Sequence, residues 1–298
     1  VNDSVPHDVR NVDYDNIVYI GDSATDIPCM TLVKSKGGYS INARNGKLQY
    51  SQQIFASKGG LMPFGLSLSY NASNCDSSNP NDIANGMKGW TFNYQQSLKQ
   101  VSDDMLYVDA SNVVHTFKHP TNNSSVWYDA TGKNGMVLVT TDTGYTMSDG
   151  KTITLNFDTS KRLVSIAQKL SSSKTVATAI EYASDGKISK VTDGLGDVYN
   201  FSWTSTLVQI RKADAPVAEI SLASERVTQV KYVLSGDVVD FAYDSAGQLI
   251  SVLDSASHQK AVFEYNTVSA ISAVKNYISQ ATDVATDSNH FEYNLLQT

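Results

Sequence analysis

The sequence has 298 residues, of which 41% are hydrophobic and 18% charged, and its formal net charge is -7. This length is sufficient for one large domain or two smaller ones, and an acidic chain without a Lys/Arg run repels phosphate backbones, so nucleic acid is excluded as the default partner. No apolar stretch approaches the length of a membrane span, and the two cysteines, Cys29 and Cys75, have no metal-ligand spacing around them.

A short apolar run stands near the start of the chain. Residues 16–22 read Asn-Ile-Val-Tyr-Ile-Gly-Asp, and a polar turn follows. A run of this kind is typical of a parallel strand in an α/β fold. Two carboxylates, Asp22 and Asp26, stand at the end of this run and in the turn after it.

Residues of about 14–36 resemble the last acidic motif of haloacid-dehalogenase-like phosphatases, which reads Gly-Asp-x-x-x-Asp. The resemblance implies Mg²⁺ binding by Asp22 and Asp26. That family also requires an Asp-x-Asp strand, and residues 13–15 have those letters without an upstream apolar run. Without a nucleophile we expect no phosphoryl transfer, and hence no enzyme. Residues 1–38 are then the tail of an upstream domain, an assembly junction, or an accessory β segment.

The region from 39 to 150 is predicted to form β-hairpins separated by two long loops. The loops, Ser73–Gly86 and Thr121–Gly135, are rich in polar turn-forming residues. His115 and His119 are the only two histidines close in sequence. Residues four apart on a strand lie about 13 Å from each other, so we expect exposed histidines at strand ends and no shared metal.

From residue 151 to the end, the chain contains an internal repeat. The full pattern is an aromatic pair, a turn, and two aliphatic residues three positions apart; every copy has the aliphatic pair, and several have the aromatic pair. The aliphatic pairs are Leu163/Ile166, Ile188/Val191, Leu207/Ile210, Val227/Val230, Leu249/Val252 and Ile271/Val274. Their first members are spaced by 25, 19, 20, 22 and 22 residues, and the aromatic pairs include Phe201/Trp203, Phe241/Tyr243, Phe263/Tyr265 and Phe291/Tyr293.

The repeat predicts an all-β fold of successive antiparallel hairpins in an extended, winding sheet. Alternation of aromatic and polar residues indicates a strand with one buried face, and Asp-Ser-Ala-Gly tetrads supply the turn. A single hairpin is marginal in water. We therefore expect neighbouring copies to stack side by side and bury the apolar face.

The stretch Tyr243–Leu249 with Val252 and Asp254 resembles the YD repeat of bacterial RHS proteins and animal teneurins. Looser copies lie at Phe157–Leu163 and Tyr182–Asp193. Earlier elements resemble the initial region of an RHS shell: Ser40–Leu48, Phe64–Asn71, Lys88–Tyr94, Asp109–Phe117 and Gly144–Phe157. The resemblance implies a partial β shell, with an initial region at 39–150 and YD-like repeats at 151–298. In that family the repeats form a hollow shell around a cargo.

The leading functional hypothesis is a structural wall that encloses or presents a cargo or toxin domain outside this chain. The resemblance implies secretion or a cell-surface location in a bacterium, and we expect the sequence to be a fragment of a longer polypeptide. The first alternative is a module that binds carbohydrate or a cell-surface protein. The second is a fragment of a Mg²⁺-dependent phosphatase at the N-terminus. We expect no other cofactor.

Overall fold

The computed structural model describes residues 19–21, 38–42, 45–57, 62–75, 86–120, 125–132, 135–277, 285 and 287–292. Within these residues the chain forms 24 β-strands in two sheets and a 3-10 helix at Ala72–Asn74. No helix in this described part is long and apolar enough to cross a bilayer. The predicted all-β class of consecutive antiparallel hairpins is confirmed.

The first sheet contains five strands in chain order. They are β1 (Tyr19–Gly21), β2 (Tyr39–Asn42), β3 (Leu48–Ala56), β4 (Gly65–Asn71) and β5 (Trp90–Phe92). β1 pairs in parallel with β2, and the other neighbours are antiparallel. Residues 19–21 of the apolar run at the front therefore form a parallel strand, as predicted, but their partner is the first strand of a β-hairpin. The division into units at residue 38 stays a prediction.

The second sheet, which we call the repeat sheet, contains every later strand. Its first half is β6 (Ser97–Val101), β7 (Asp104–Val108), β8 (Val114–Lys118), β9 (Val126–Asp129), β10 (Val137–Thr141), β11 (Gly144–Ser148), β12 (Ile153–Phe157), β13 (Leu163–Lys169), β14 (Thr175–Tyr182) and β15 (Ile188–Thr192). Its second half is β16 (Val198–Trp203), β17 (Leu207–Lys212), β18 (Ala215–Ala223), β19 (Arg226–Tyr232), β20 (Val238–Tyr243), β21 (Leu249–Asp254), β22 (Lys260–Tyr265), β23 (Ile271–Tyr277) and β24 (Asp287–His290).

Each strand of the repeat sheet pairs with the next strand of the chain in antiparallel register. Among the described residues no register joins β24 back to β6, so the sheet is a curled ladder with two ends. β6 meets the beginning of β13, where Leu98 donates its N–H to the Lys161 carbonyl at 2.9 Å. One earlier expectation is wrong, because the loop predicted at 121–135 contains the strand β9.

Five turns of this sheet share one geometry. Their first residues are Asp109, Asp158, Asp193, Asp244 and Asn266, and in each the side-chain oxygen accepts a hydrogen bond from the N–H four residues later. The residue three positions after the first has a positive φ, whether it is Gly247 at +82° or Lys161 at +66°. Side chains of Asp and Asn favour such turns because they satisfy the backbone locally.

A β-bulge explains why the two aliphatic residues of a copy are three positions apart. In an unbroken strand, residues that face the same side are two apart. Phe241 faces Val252 and Tyr243 faces Leu249, so β21 contains one residue more than β20 between these pairs, and that residue is Ile250. The same irregularity occurs at the starts of β13, β15, β19 and β23. The extra residue brings both aliphatic side chains to the inner face.

The copy at residue 207 does not follow this rule. β17 pairs with β16 without a register shift, with Trp203 opposite Val208 and Phe201 opposite Ile210. Val208 and Ile210 are therefore the inward pair, while Leu207 is only half-buried. The pair Leu207/Ile210 taken from the sequence is wrong, because a strand without a bulge keeps the two-residue period.

The apolar face of the repeats is covered by the first sheet. That sheet directs nine buried side chains towards the repeats: Tyr39, Ile41, Leu48, Tyr50, Leu66, Leu68, Tyr70, Trp90 and Phe92. Trp90 packs edge-on against Phe241 with ring centroids 4.9 Å apart, and Phe64 stacks on Tyr199 at 3.7 Å. Side-by-side stacking of the copies therefore does not bury the face, because one sheet leaves both its faces open until a second layer covers one.

Candidate functional site

The predicted metal ligands and the two neighbouring histidines have different outcomes in the structure. Asp22 and Asp26 lie outside the described residues, so their role as Mg²⁺ ligands stays a prediction. No group of three or more His, Cys, Asp or Glu residues in the described ranges is arranged to hold a metal ion. His115 Nε2 is 2.8 Å from Asp109 Oδ2, whereas His119 Nδ1 is 3.0 Å from the Pro120 carbonyl. Both histidines are half-buried, not exposed as predicted.

Each of the bulged strands β13, β15, β19, β21 and β23 has a buried aliphatic residue at its first or second position. We call Leu163, Ile188, Val227, Leu249 and Ile271 the first aliphatic residues. All five stand two positions before the first ladder pair with the next strand, because those pairs begin at Ser165, Lys190, Gln229, Ser251 and Ala273. The bulge thus leaves their peptide groups outside the regular ladder.

An aromatic side chain of the next copy donates a hydrogen bond to the carbonyl of four of these residues: Leu163, Ile188, Val227 and Leu249. We call Tyr182, Trp203, Tyr243 and Tyr265 the aromatic ties. The donor–acceptor distances are 2.7 Å from Tyr182 to Leu163, 2.8 Å from Trp203 Nε1 to Ile188, 2.5 Å from Tyr243 to Val227 and 2.7 Å from Tyr265 to Leu249. A buried carbonyl without a partner costs about 1–3 kcal/mol, so the ties offset a cost created by the bulges.

Three of the ties also carry a cation over the ring. Arg162 lies over Tyr182 at 4.6 Å from the ring centroid, Lys187 over Trp203 at 5.5 Å, and Arg226 over Tyr243 at 5.9 Å. In each case the cation immediately precedes a first aliphatic residue. The negative face of an aromatic ring attracts a cation at such distances. One peptide segment therefore supplies both the acceptor for the tie and the charge over it.

Three of the first aliphatic residues donate their N–H to acceptors in the first hundred residues of the chain. Leu163 donates to the Gln96 carbonyl at 3.0 Å, and Ile271 donates to the Gly46 carbonyl at 2.9 Å. Leu249 donates to the Tyr70 hydroxyl at 3.0 Å. The bonds from Leu249 and Ile271 position two copies of the repeat relative to the first sheet, and the bond from Leu163 positions a third relative to the residue before β6.

A buried polar cluster joins the first sheet to the turn between β7 and β8. Asn112 is 1% exposed and has a φ of +60°. Its carbonyl accepts from Asn71 Nδ2 at 2.7 Å, its Oδ1 accepts from Asn74 Nδ2 at 2.6 Å, and its own Nδ2 donates to the Gly89 carbonyl at 3.0 Å. Buried amides that are fully hydrogen-bonded specify one arrangement, because any other leaves them unsatisfied.

Burial controls the ionisation of the tyrosine hydroxyls in this region. It raises the pKa of Tyr182, Tyr243 and Tyr265 well above the ordinary value near 10. Burial also raises the pKa of Tyr70, and the nearby Cys75 raises it further. The hydroxyls of Tyr182, Tyr243 and Tyr265 are protonated at neutral pH, as a donor to a carbonyl must be.

The sequence contained a signal for the ties that the repeat pattern alone did not reveal. The second member of each aromatic pair is Tyr or Trp and carries a hydrogen-bond donor, as in Phe201/Trp203, Phe241/Tyr243 and Phe263/Tyr265. The first member is Phe, which has none. The pair Phe291/Tyr293 has the same order, but Tyr293 lies outside the described residues.

The described surface has few exposed aromatic side chains on which a sugar could stack. Tyr128, which is 51% exposed, is the one aromatic side chain among the exposed large hydrophobic residues of the described part. A carbohydrate site needs exposed aromatic faces on which sugar rings can stack, whereas the aromatic side chains of the repeats point inward. The arrangement as a whole joins and positions strands.

Comparisons with known proteins give a weak likeness. No family model and no curated protein matches this chain. The crystal structure of TcdB2-TccC3 is similar with a TM-score of 0.35 and 11% identity over 83% of this chain, and the form without the hypervariable C-terminal region gives 0.35 and 11% over 84%. A Photorhabdus luminescens Tc holotoxin pore gives 0.33 and 12% over 79%. This chain spans only 14–15% of the length of those chains.

Proposed function

We propose that this chain is a structural wall segment of an RHS-type β shell, which encloses or presents a cargo domain carried elsewhere in a longer polypeptide. The observation that carries the proposal is the uninterrupted antiparallel ladder from β6 to β24, with each strand paired to the next. Such a ladder makes a continuous surface without gaps between strands. Its inner face is sealed by the first sheet, its outer face is polar, and its repeats are joined by the ties.

The distribution of side chains along the strands supports a wall with two distinct faces. On β16, Phe201 is buried and its neighbour Ser202 is exposed. Outward-facing charges pair across strands, as Lys190 does with Glu181 at 2.6 Å. Cross-strand pairs of opposite charge stabilise a sheet and keep its outer face soluble. A wall needs these two faces and does not need a reactive group.

The experiment compares protease cleavage of the parent polypeptide with and without an intact wall. Phe201→Asp puts a charge into the buried face, whereas Ser202→Asp puts the same charge on the outer face of the same strand. We expect the rest of the parent to resist cleavage in the unsubstituted and Ser202→Asp forms, and to be cut in Phe201→Asp, because an unpaired buried charge opens the sheet.

A second comparison needs no variant and covers the case in which Phe201→Asp does not fold. The remainder of the parent is expressed alone, and its cleavage rate is compared with that of the same region in the intact parent. Equal rates would overturn the proposal of enclosure. Slower cleavage in the intact parent supports it.

A further inference from the structure

The joints between copies differ in the number of paired residues. The ladders β15–β16, β19–β20 and β21–β22 each contain three residue pairs. The hairpins inside the copies, such as β20–β21 and β22–β23, contain five and six. We call the three short ladders seams. Each seam also has an aromatic tie, so the tie supplies a large share of its hydrogen bonding.

The three seams differ in what reinforces them. Across β19–β20, Gln229 Nε2 donates to Asp240 Oδ1 at 2.8 Å. Trp203 at the seam β15–β16 and Tyr243 at β19–β20 have a cation over the ring, contributed by Lys187 and Arg226. At β21–β22 the equivalent position, directly before Leu249, is Gln248. Within the residues that the structure describes, no Lys or Arg lies over the Tyr265 ring. This seam therefore has three ladder pairs, the Tyr265 hydroxyl and the bond from the Asp254 N–H to the Gln259 carbonyl, without a cation over its tie.

We propose that the seam β21–β22 is the point at which the repeat sheet opens most readily, and that the residue at position 248 controls this opening. This inference does not depend on the proposed wall function. It depends on the residue that directly precedes each first aliphatic residue. Where this residue is Lys or Arg, its charge lies over the ring of the next tie; at position 248 it is Gln, which has no charge.

The opening is local and not a separation of layers. On one side of the seam, the N–H of Leu249 is bonded to Tyr70 of the first sheet. On the other side, Ile271 is bonded to the Gly46 carbonyl, and Phe263 packs edge-on against Tyr39 at 5.3 Å. The strands on both sides of the seam, β21 on one and β22 with β23 on the other, thus stay in contact with the first sheet while the short ladder between β21 and β22 breaks and reforms.

Hydrogen exchange of the full chain, followed by mass spectrometry, measures this opening. Peptides that cover β20 and β22 report on the seams β19–β20 and β21–β22. We expect faster exchange in β22. Gln248→Arg places a cation at the vacant position and is expected to slow exchange in β22 roughly two- to fivefold, as an exposed cation–π contact predicts. Gln248→Met, which has a similar length and no charge, is the control.

The reciprocal variant tests the same rule at the other seam. Arg226→Gln gives β19–β20 the residue found at β21–β22, and we expect exchange in β20 to rise roughly two- to fivefold. The proposal is overturned if Gln248→Arg and Gln248→Met exchange alike, or if Arg226→Gln leaves β20 unchanged. In Gln248→Arg combined with Tyr265→Leu, the slowing must disappear, because the coupling requires both partners.

Discussion

The second aromatic residue of a copy has two separate functions. Its ring joins the inner apolar face, and its donor atom reaches back to a carbonyl of the preceding copy, as Tyr182 does with Leu163. Trp203 replaces tyrosine at one position and keeps the bond through its indole N–H. Phenylalanine offers the same ring without the donor. The chemical requirement at this position is thus an aromatic residue that can donate a hydrogen bond.

Tyr182→Phe separates these two functions. The variant keeps the ring beneath Arg162 and loses the bond to the Leu163 carbonyl, so we expect a loss of about 1 kcal/mol in the free energy of unfolding. Tyr128→Phe removes an exposed hydroxyl and should change it by less than about 0.5 kcal/mol. Denaturant titration measures both. Equal stabilities of the two variants would contradict the role of the tie.

At the scale of elements, the turn and the bulge act together. The turn that starts at Asp244 ends one residue before Leu249, and the bulge begins there. Gly247 lies inside this turn at a φ of +82°, and a methyl group on it would meet the Arg226 guanidinium at 2.1 Å. That guanidinium also lies over the Tyr243 ring. The glycine therefore provides both a backbone conformation and space for the cation.

Gly247→Ala and Gly186→Ala distinguish these two contributions. Gly186 has nearly the same φ, +83°, and no atom within 4 Å of the added methyl group. We expect Gly186→Ala to cost about 1–2 kcal/mol from the left-handed conformation alone. Gly247→Ala should cost clearly more, because Arg226 must also move from its ring. Thermal or denaturant unfolding measures the free energy of unfolding of both variants. Equal losses of this free energy would mean that Arg226 moves away from its ring without cost.

At the scale of the whole molecule, the two layers depend on each other. The first sheet covers the inner face of the repeats, and it also accepts hydrogen bonds from Leu249 and Ile271 at the starts of their strands. Several of the residues that connect the layers are tyrosines whose hydroxyls lie away from solvent. Ionisation of any of them would place an uncompensated charge in the interior. The layers should therefore separate at alkaline pH.

The pH dependence follows from the direction of the tyrosine shifts. Burial raises the folded-state pKa of Tyr182, Tyr243 and Tyr265 above the unfolded value near 10. Their contribution to stability is present in full below about pH 10 and is lost as the pH rises towards the folded pKa. Absorbance at 295 nm and circular dichroism should change together in this range. Ionisation of all tyrosines with the β signal intact would contradict the prediction.

The sequence by itself determined the local structure of this protein: the class of fold, the turns at Asp158 and Asp244, and the length of each copy. These follow from period-two alternation and turn chemistry, which act over a few residues. Local pattern does not reveal a bulge, and so Leu207 was taken for the inward residue where Val208 is buried.

Only the tertiary structure decided what covers the repeats and what completes their hydrogen bonding. The partner of the Leu249 N–H is Tyr70, 179 residues earlier in the chain, and the cover of Phe241 is Trp90. Such contacts depend on how two sheets pack, and the residues that make them are separated by long stretches with no common pattern. A buried peptide group must find a partner, but the sequence does not state which distant side chain supplies it.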